Sequence, residues 1–302
     1  MNPGPSTPSP APPRPARLAD LADGRRVTPM LRQFAELKVQ VPDALLFFRM
    51  GDFYELFFED AEIAAGLLDL TLTARDKSGD NPIPMAGVPH HAVRGYISRL
   101  VESGRKVAIA DQLEDPRLAK GIVKRGLTEI ITPGTILEPE NLDARAANFL
   151  VALHPGHGAL GLAAIDVSTG EFCCTDLPPD AVSAELDRLA PSEVLVAESL
   201  ADDDVVLAWK DAVDARWATV PDHAFRPSAA RDELLALYGL RDLDGLGVGQ
   251  VPGGVVAAGA ILHYLRAAQL DALGHVRRLR PYRLDGFMVL DEATRRNLEL
   301  FR

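Results

Sequence analysis

The chain has 302 residues, 47% of them apolar, which is enough to bury the cores of two domains and excludes wholesale disorder. Its formal charge of −11 argues at first against a polyanionic partner, but the deficit is local: residues 1–130 carry 17 Lys+Arg and 17 Asp+Glu, residues 131–302 carry 15 and 26. Any nucleic-acid face is therefore expected on the first part, where Arg105, Lys106, Lys120, Lys124 and Arg125 make a locally basic stretch.

In chain order, the first 17 residues hold seven prolines and no apolar run, so residues 1–26 read as a disordered arm and not as a secretory signal. Thr28-Pro29 is a helix start, and Met30 to Val39 carries apolar residues at helical spacing until Pro42 stops it. Leu45 to Met50 and Phe53 to Phe58 are two strand-like runs broken by Gly51-Asp52, the pattern of a tight hairpin. Glu59 to Leu68 follows as a helix with acids in its first turn, and Leu70 to Thr73 as a short strand. Ala92 to Ser103 is a helix closed by Gly104, and Lys106 to Gln112 and Gly126 to Ile131 are strands. This β-β-α-β-α-β-β order implies a mixed sheet with helices packed on it, an α/β domain ending near Thr132-Pro133-Gly134.

A second α/β unit is expected after the polar stretch Glu138 to Arg145. Asn148 to Leu153, Gly158 to Ser168 and Glu171 to Asp176 read as a three-stranded meander turning at Ser168-Thr169-Gly170. Val182 to Leu189 is helical, Glu193 to Val196 a strand, and Asp232 to Tyr238 and Val255 to Leu265 further helices. The uncharged run Gly245 to Leu265 reaches membrane-spanning length, but six glycines, Pro252, Gln250 and His263 interrupt it, so no membrane association is expected. Adjacent Cys173 and Cys174 point opposite ways on a strand and offer neither a disulfide framework nor a metal pair, which fits a reducing cytoplasm. His90-His91 lacks ligand spacing and suits a helix start or a surface, so no metal site is expected.

Phe53-Tyr54-Glu55 is the most informative triplet. Side chains alternate along a strand, so Phe53 and Glu55 share one side of the hairpin, and Tyr54 and Leu56 the other. A ring pushed between base steps kinks a duplex at a cost of a few kcal/mol, least where pairing is already defective. The phosphate field raises the pKa of a nearby carboxyl, so a protonated Glu55 can donate to a base edge. Taken alone, F-x-E is ordinarily a core ring beside a solvated acid.

The surrounding sequence resembles the amino-terminal part of the MutS mismatch-repair family. Six stretches carry the likeness: Thr28-Pro29-Met30, Phe48 to Phe58, Leu67 to Thr73, Pro82 to Pro89, Ile131 to Thr135, and Asp291 to Leu298. The resemblance implies that Phe53 stacks on a mispaired base and Glu55 hydrogen-bonds to it, with Met50 and Arg75 as neighbours of the same pocket. It implies a mismatch-recognition domain over 27–134, a ribonuclease H-like connector over 135–275, and the beginning of a helical core domain over 276–302. It further implies mismatched double-stranded DNA as ligand, and a second MutS-like subunit and MutL as partners of the full-length family.

Family ATPase activity, with its ATP and Mg, lies carboxyl-terminal to the matched region. No Gly-Lys pair occurs here, so the Walker A loop is missing, no cofactor is expected and the chain is read as a non-enzymatic fragment. Two other readings remain. One is a protein-interaction adaptor acting through the connector without mismatch discrimination. The other is a nuclease using Asp166 and Glu171, which flank the meander turn at outward positions but have no convincing third or fourth acid.

Overall fold

The computed structural model describes Leu18 and residues 28–75, 82–115, 121–136, 148–156, 158–268 and 273–284. Apart from Leu18, the expected arm lies outside the described residues, as do Lys120 and the Asp291 to Leu298 stretch. The chain divides into two compact units, Met1–Ile130 and Ile131–Arg302.

In the first unit, helix α1 (Pro29–Lys38) begins as its sequence dictates. Thr28 Oγ1 accepts from the Leu31 N–H at 3.4 Å, and Pro29 sits where its missing N–H costs nothing. Strands β1 (Ala44–Met50) and β2 (Phe53–Phe57) form an antiparallel hairpin with Phe48 opposite Glu55 and Met50 opposite Phe53. Gly51 supplies the positive φ of 60° that the turn needs. Helix α2 (Phe58–Leu68), β3 (Thr73–Arg75), β4 (Ile83–Pro89), α3 (Val93–Glu102), β5 (Lys106–Gln112) and β6 (Arg125–Ile131) follow. The sheet runs β3-β4-β2-β1-β5-β6 and is mixed: β1 pairs parallel with β5 and antiparallel with β2.

Two expectations change. The strand expected over Leu70 to Thr73 lies instead at Thr73–Arg75, because Asp69 ends α2 in the left-handed region and the Leu70 N–H still closes on Ala65 O at 3.2 Å. Ile83–Pro89, not anticipated as a strand, lies inside the sheet, antiparallel to both β2 and β3. Its prolines disguise it, since proline lacks the ladder N–H. Pro84 is tolerated opposite Ala74 of the short edge strand, and Pro89 ends the ladder opposite Phe53.

The core on the α1 side gathers Phe34, Leu46, Phe48 and Phe57, with Phe34 edge-on to Phe48 and Phe57 at 5.7 and 5.2 Å. Beneath it lies a buried ion pair. Lys38 Nζ donates to Asp60 Oδ1 at 2.9 Å and to Ala44 O at 2.5 Å, while Asp60 Oδ2 accepts from the Leu46 N–H at 3.0 Å, so α1, α2 and β1 are tied at one point.

The second unit is a six-stranded mixed sheet. Its meander is β7 (Phe149–Pro155), β8 (Leu160–Asp166) and β9 (Glu171–Leu177), all antiparallel. After α4 (Val182–Leu189), β10 (Glu193–Ala197) joins β7 in parallel, and β11 (Arg216–Val220) joins β10. Helix α5 (Asp204–Ala212) and β11 were not anticipated. Val205 and Leu207 of α5 are exposed, which blurs its apolar period. Helices α6 (Pro227–Tyr238) and α7 (Pro252–Ala267) start earlier than the expected Asp232 and Val255, each with proline in its first turn, and β12 (Arg280–Pro281) lies on β9.

The glycine-rich run has a packing reason: a Cβ on Gly161 would fall 2.0 Å from Gly253 C, and one on Gly259 2.2 Å from Ala230 Cα. Asp176 caps α7, accepting from Gly253 and Gly254 N–H at 3.2 and 2.6 Å. Among the described residues no helix is long and apolar enough to cross a membrane.

Asp166 is not an outward position. It is buried, and its Oδ1 accepts from Ser168 N–H, Ser168 Oγ and Thr169 N–H at 2.9, 2.6 and 3.3 Å. The carboxylate considered for nuclease chemistry is spent on holding its own turn.

Candidate nucleic-acid interface

The hairpin ends in an unusual distribution of burial. Five rings of β1, β2 and α2 are essentially inaccessible, namely Phe47, Phe48, Phe57, Phe58 and Tyr54, whereas Phe53 keeps 48% of its surface exposed. Alternation explains the contrast. Tyr54 faces the α2–α3 side and is anchored there by donating to Asp111 Oδ2 at 2.7 Å, stacking on His90 at 5.9 Å, and lying under the Arg49 guanidinium at 5.2 Å. Phe53 faces the α1 side at the end of the ladder, where the core cluster thins out to half-buried Met50 and Met85. His90-His91 forms a single helical turn, and the His90 N–H ties the hairpin turn down by donating to Asp52 O at 2.8 Å.

Glu55 lies two residues along on the same face. Its Oε2 accepts from Arg75 Nη1 at 3.2 Å. Burial pushes the Glu55 carboxyl above its usual range, and the Arg75 and Arg125 guanidinium groups oppose that rise. The four residues singled out in the sequence, Met50, Phe53, Glu55 and Arg75, thus come from three strands: Met50 stands opposite Phe53, and Arg75 reaches Glu55 from β3.

Two residues of this face escaped the sequence reading. Gly87 sits opposite Glu55 on β4, and a Cβ there would lie 3.5 Å from Tyr54 O, 3.8 Å from Glu55 Cγ and 4.0 Å from Phe53 Cδ1. Its missing side chain leaves the strip between ring and acid open. Arg125 appeared only as one cation in a basic run, yet its guanidinium stacks 4.8 Å from the Phe48 ring centroid and donates to Arg49 O at 2.6 Å. Only the strand register, which the sequence does not print, brings it near Glu55.

The basic stretch itself divides. Arg105 and Lys106 stand at the Ala44 end of β1, where Lys106 pairs with Asp43 at 3.3 Å. Lys124 and Arg125 are at the Met50 end. Six residues of strand, about 20 Å, separate the two groups, so only the second flanks Phe53.

Residues 28–140 match the family model described as MutS domain I, and residues 148–277 that described as MutS domain II. Among curated relatives, the DNA mismatch repair protein MutS of Desulfatibacillum aliphaticivorans is 43% identical over 279 residues, 92% of this chain and 31% of that protein. Those of Syntrophobacter fumaroxidans and Solibacter usitatus are 44% and 46% identical over 91% and 90% of the chain, again 31% of each protein. The chain therefore spans about a third of the length of the relatives it matches.

Proposed function

Since the chain belongs to the MutS family, carrying its first two domains, we propose that the hairpin face of the first unit reads mismatched double-stranded DNA. In this reading Phe53 enters the base stack at a weakened pair and Glu55 hydrogen-bonds to the displaced base edge. Met50 backs the ring, and Arg75 moves between Glu55 and the DNA backbone. The observation that carries the reading is the exposure of Phe53 in a hairpin whose other rings are buried. Leaving so much aromatic surface in water gains the fold nothing, whereas insertion at a mismatch recovers it at low unstacking cost.

The open strip over Gly87 and the cations at the Met50 end support the same placement. A second MutS-like subunit, MutL, and ATP with Mg enter the proposal only through the further regions of the full-length relatives. The second unit, as connector, supplies the docking surface in that larger assembly.

With few phosphate contacts available, binding by this chain is weak and its salt dependence shallow. Titration of a fluorescent heteroduplex against its fully paired counterpart, at low and at moderate salt, tests the proposal. The expected result is a preference for the heteroduplex that persists as both affinities fall with salt. Equal affinity for the two duplexes would leave the protein-interaction adaptor as the better reading.

A further inference from the structure

We propose that Arg125, stacked on the Phe48 ring directly across the hairpin from Glu55, is the fixed one of two cations near this carboxylate and sets the pH range over which the site discriminates. The inference rests on the mismatch-reading proposal and extends it to a residue outside the F-x-E motif.

The two cations differ in how they are held. Arg75 stands on a three-residue edge strand, its side chain 39% exposed, where it bonds Glu55 at 3.2 Å and lies 5.9 Å from the Phe57 ring centroid. An incoming phosphate can compete for it. Arg125 cannot be drawn away so easily: Nε donates to Arg49 O at 2.6 Å, Nη1 donates to Val123 O at 2.9 Å and Gln33 Oε1 at 3.3 Å, and its plane rests on Phe48. Phe48 is the residue directly opposite Glu55 in the hairpin.

Carbonyl acceptors hold the guanidinium without neutralising it, so its charge remains to act on the neighbouring acid. Burial lowers the Arg125 pKa and Glu55 raises it again, the reciprocal of the pull that Arg125 exerts on Glu55. Among the described residues, Arg75 and Arg125 are the charges that act on Glu55, and its partners in register, Phe48 of β1 and Gly87 of β4, carry none. When DNA recruits Arg75, Arg125 alone holds Glu55 against the phosphate field. It thereby decides at what pH Glu55 changes from acceptor to donor.

The test follows the Glu55 side-chain carboxyl by carbon-detected NMR titration in the free 302-residue chain, with Arg125→Met, Arg125→Gln and Arg125→Lys. The heteroduplex-to-homoduplex affinity ratio is then measured across the same pH range. Both neutral variants are expected to shift the Glu55 titration upward and to move the pH profile of the ratio with it, while Arg125→Lys restores most of the wild-type titration. An unmoved Glu55 titration in a folded neutral variant overturns the proposal, as does loss of folding in both, since Arg125 would then be a residue of the fold alone. A wild-type chain that binds both duplexes equally sinks the mismatch reading instead and leaves the free-chain titration result intact.

Discussion

Glu55 and Glu193 are both glutamates on interior strands whose carboxyl is pushed up by burial, yet their surroundings differ. Glu193, at the start of β10, is wholly buried. It accepts from Thr132 Oγ1 at 2.5 Å, Gly134 N–H at 3.1 Å and Tyr264 Oη at 2.8 Å, with Arg216 Nε 3.5 Å away. Donors arrive from the turn before β7, from α7 and from β11, so the acid pins three elements together. Glu55 has a partly exposed side chain and, among the described residues, one ion pair, with Arg75 at 3.2 Å, beside an exposed ring. Burial raises a carboxyl's pKa in either setting. What marks a site is hydrogen-bonding capacity left unspent at an open face.

The comparison is broken most strongly by Glu193→Leu, which strands a buried amide, two hydroxyls and a guanidinium. The second unit should lose about 3–5 kcal/mol. Both tryptophans, Trp209 and Trp217, lie in that unit, so denaturant unfolding followed by fluorescence reports on it alone. Gly259→Ala comes next: its Cβ would meet Ala230 Cα at 2.2 Å, and forcing α6 from α7 should cost about 1–3 kcal/mol by the same fluorescence.

Glu55→Gln should act weakly and in the other direction. Glu55 holds its proton to higher pH folded than unfolded, so its contribution is fully present below the ordinary glutamate range and is lost as pH rises through the folded value. Gln removes that slope and leaves the first unit equal or slightly more stable at neutral pH, by no more than about 0.5 kcal/mol. Amide-resolved melts of β1 and β2 at pH 4 and pH 7 check the sign. A clear loss at neutral pH would place Glu55 with Glu193, as architecture.

Much of this contrast was written in the sequence. Gly51-Asp52 between two apolar runs fixed the hairpin, and strict alternation put Phe53 and Glu55 on one face. The roles proposed for them, and for Met50 and Arg75, came from family resemblance, because an F-x-E tripeptide carries no such information by itself. Strand β4 was hidden because Pro82, Pro84 and Pro89 contradict strand propensity, and with it Gly87 stayed out of view. The basic stretch misled because neighbours in sequence became opposite ends of a sheet. Asp166 misled because alternation gives the face of a residue and not the turn geometry that buries its carboxylate. Arg125 and Glu193 depend on pairings between distant strands, which local pattern does not encode.

The central claim is that an exposed ring, and not the fold around it, reads the defect. Phe53→Ala removes a half-exposed side chain, so it should leave the fluorescence melt unchanged and cost the first unit less than about 1 kcal/mol. The direct measurement is the ratio of heteroduplex to homoduplex affinity for wild type and Phe53→Ala under one salt condition. The account predicts that wild type prefers the heteroduplex and that the variant binds both duplexes alike, at the wild-type homoduplex level. A variant that keeps the wild-type preference would contradict it.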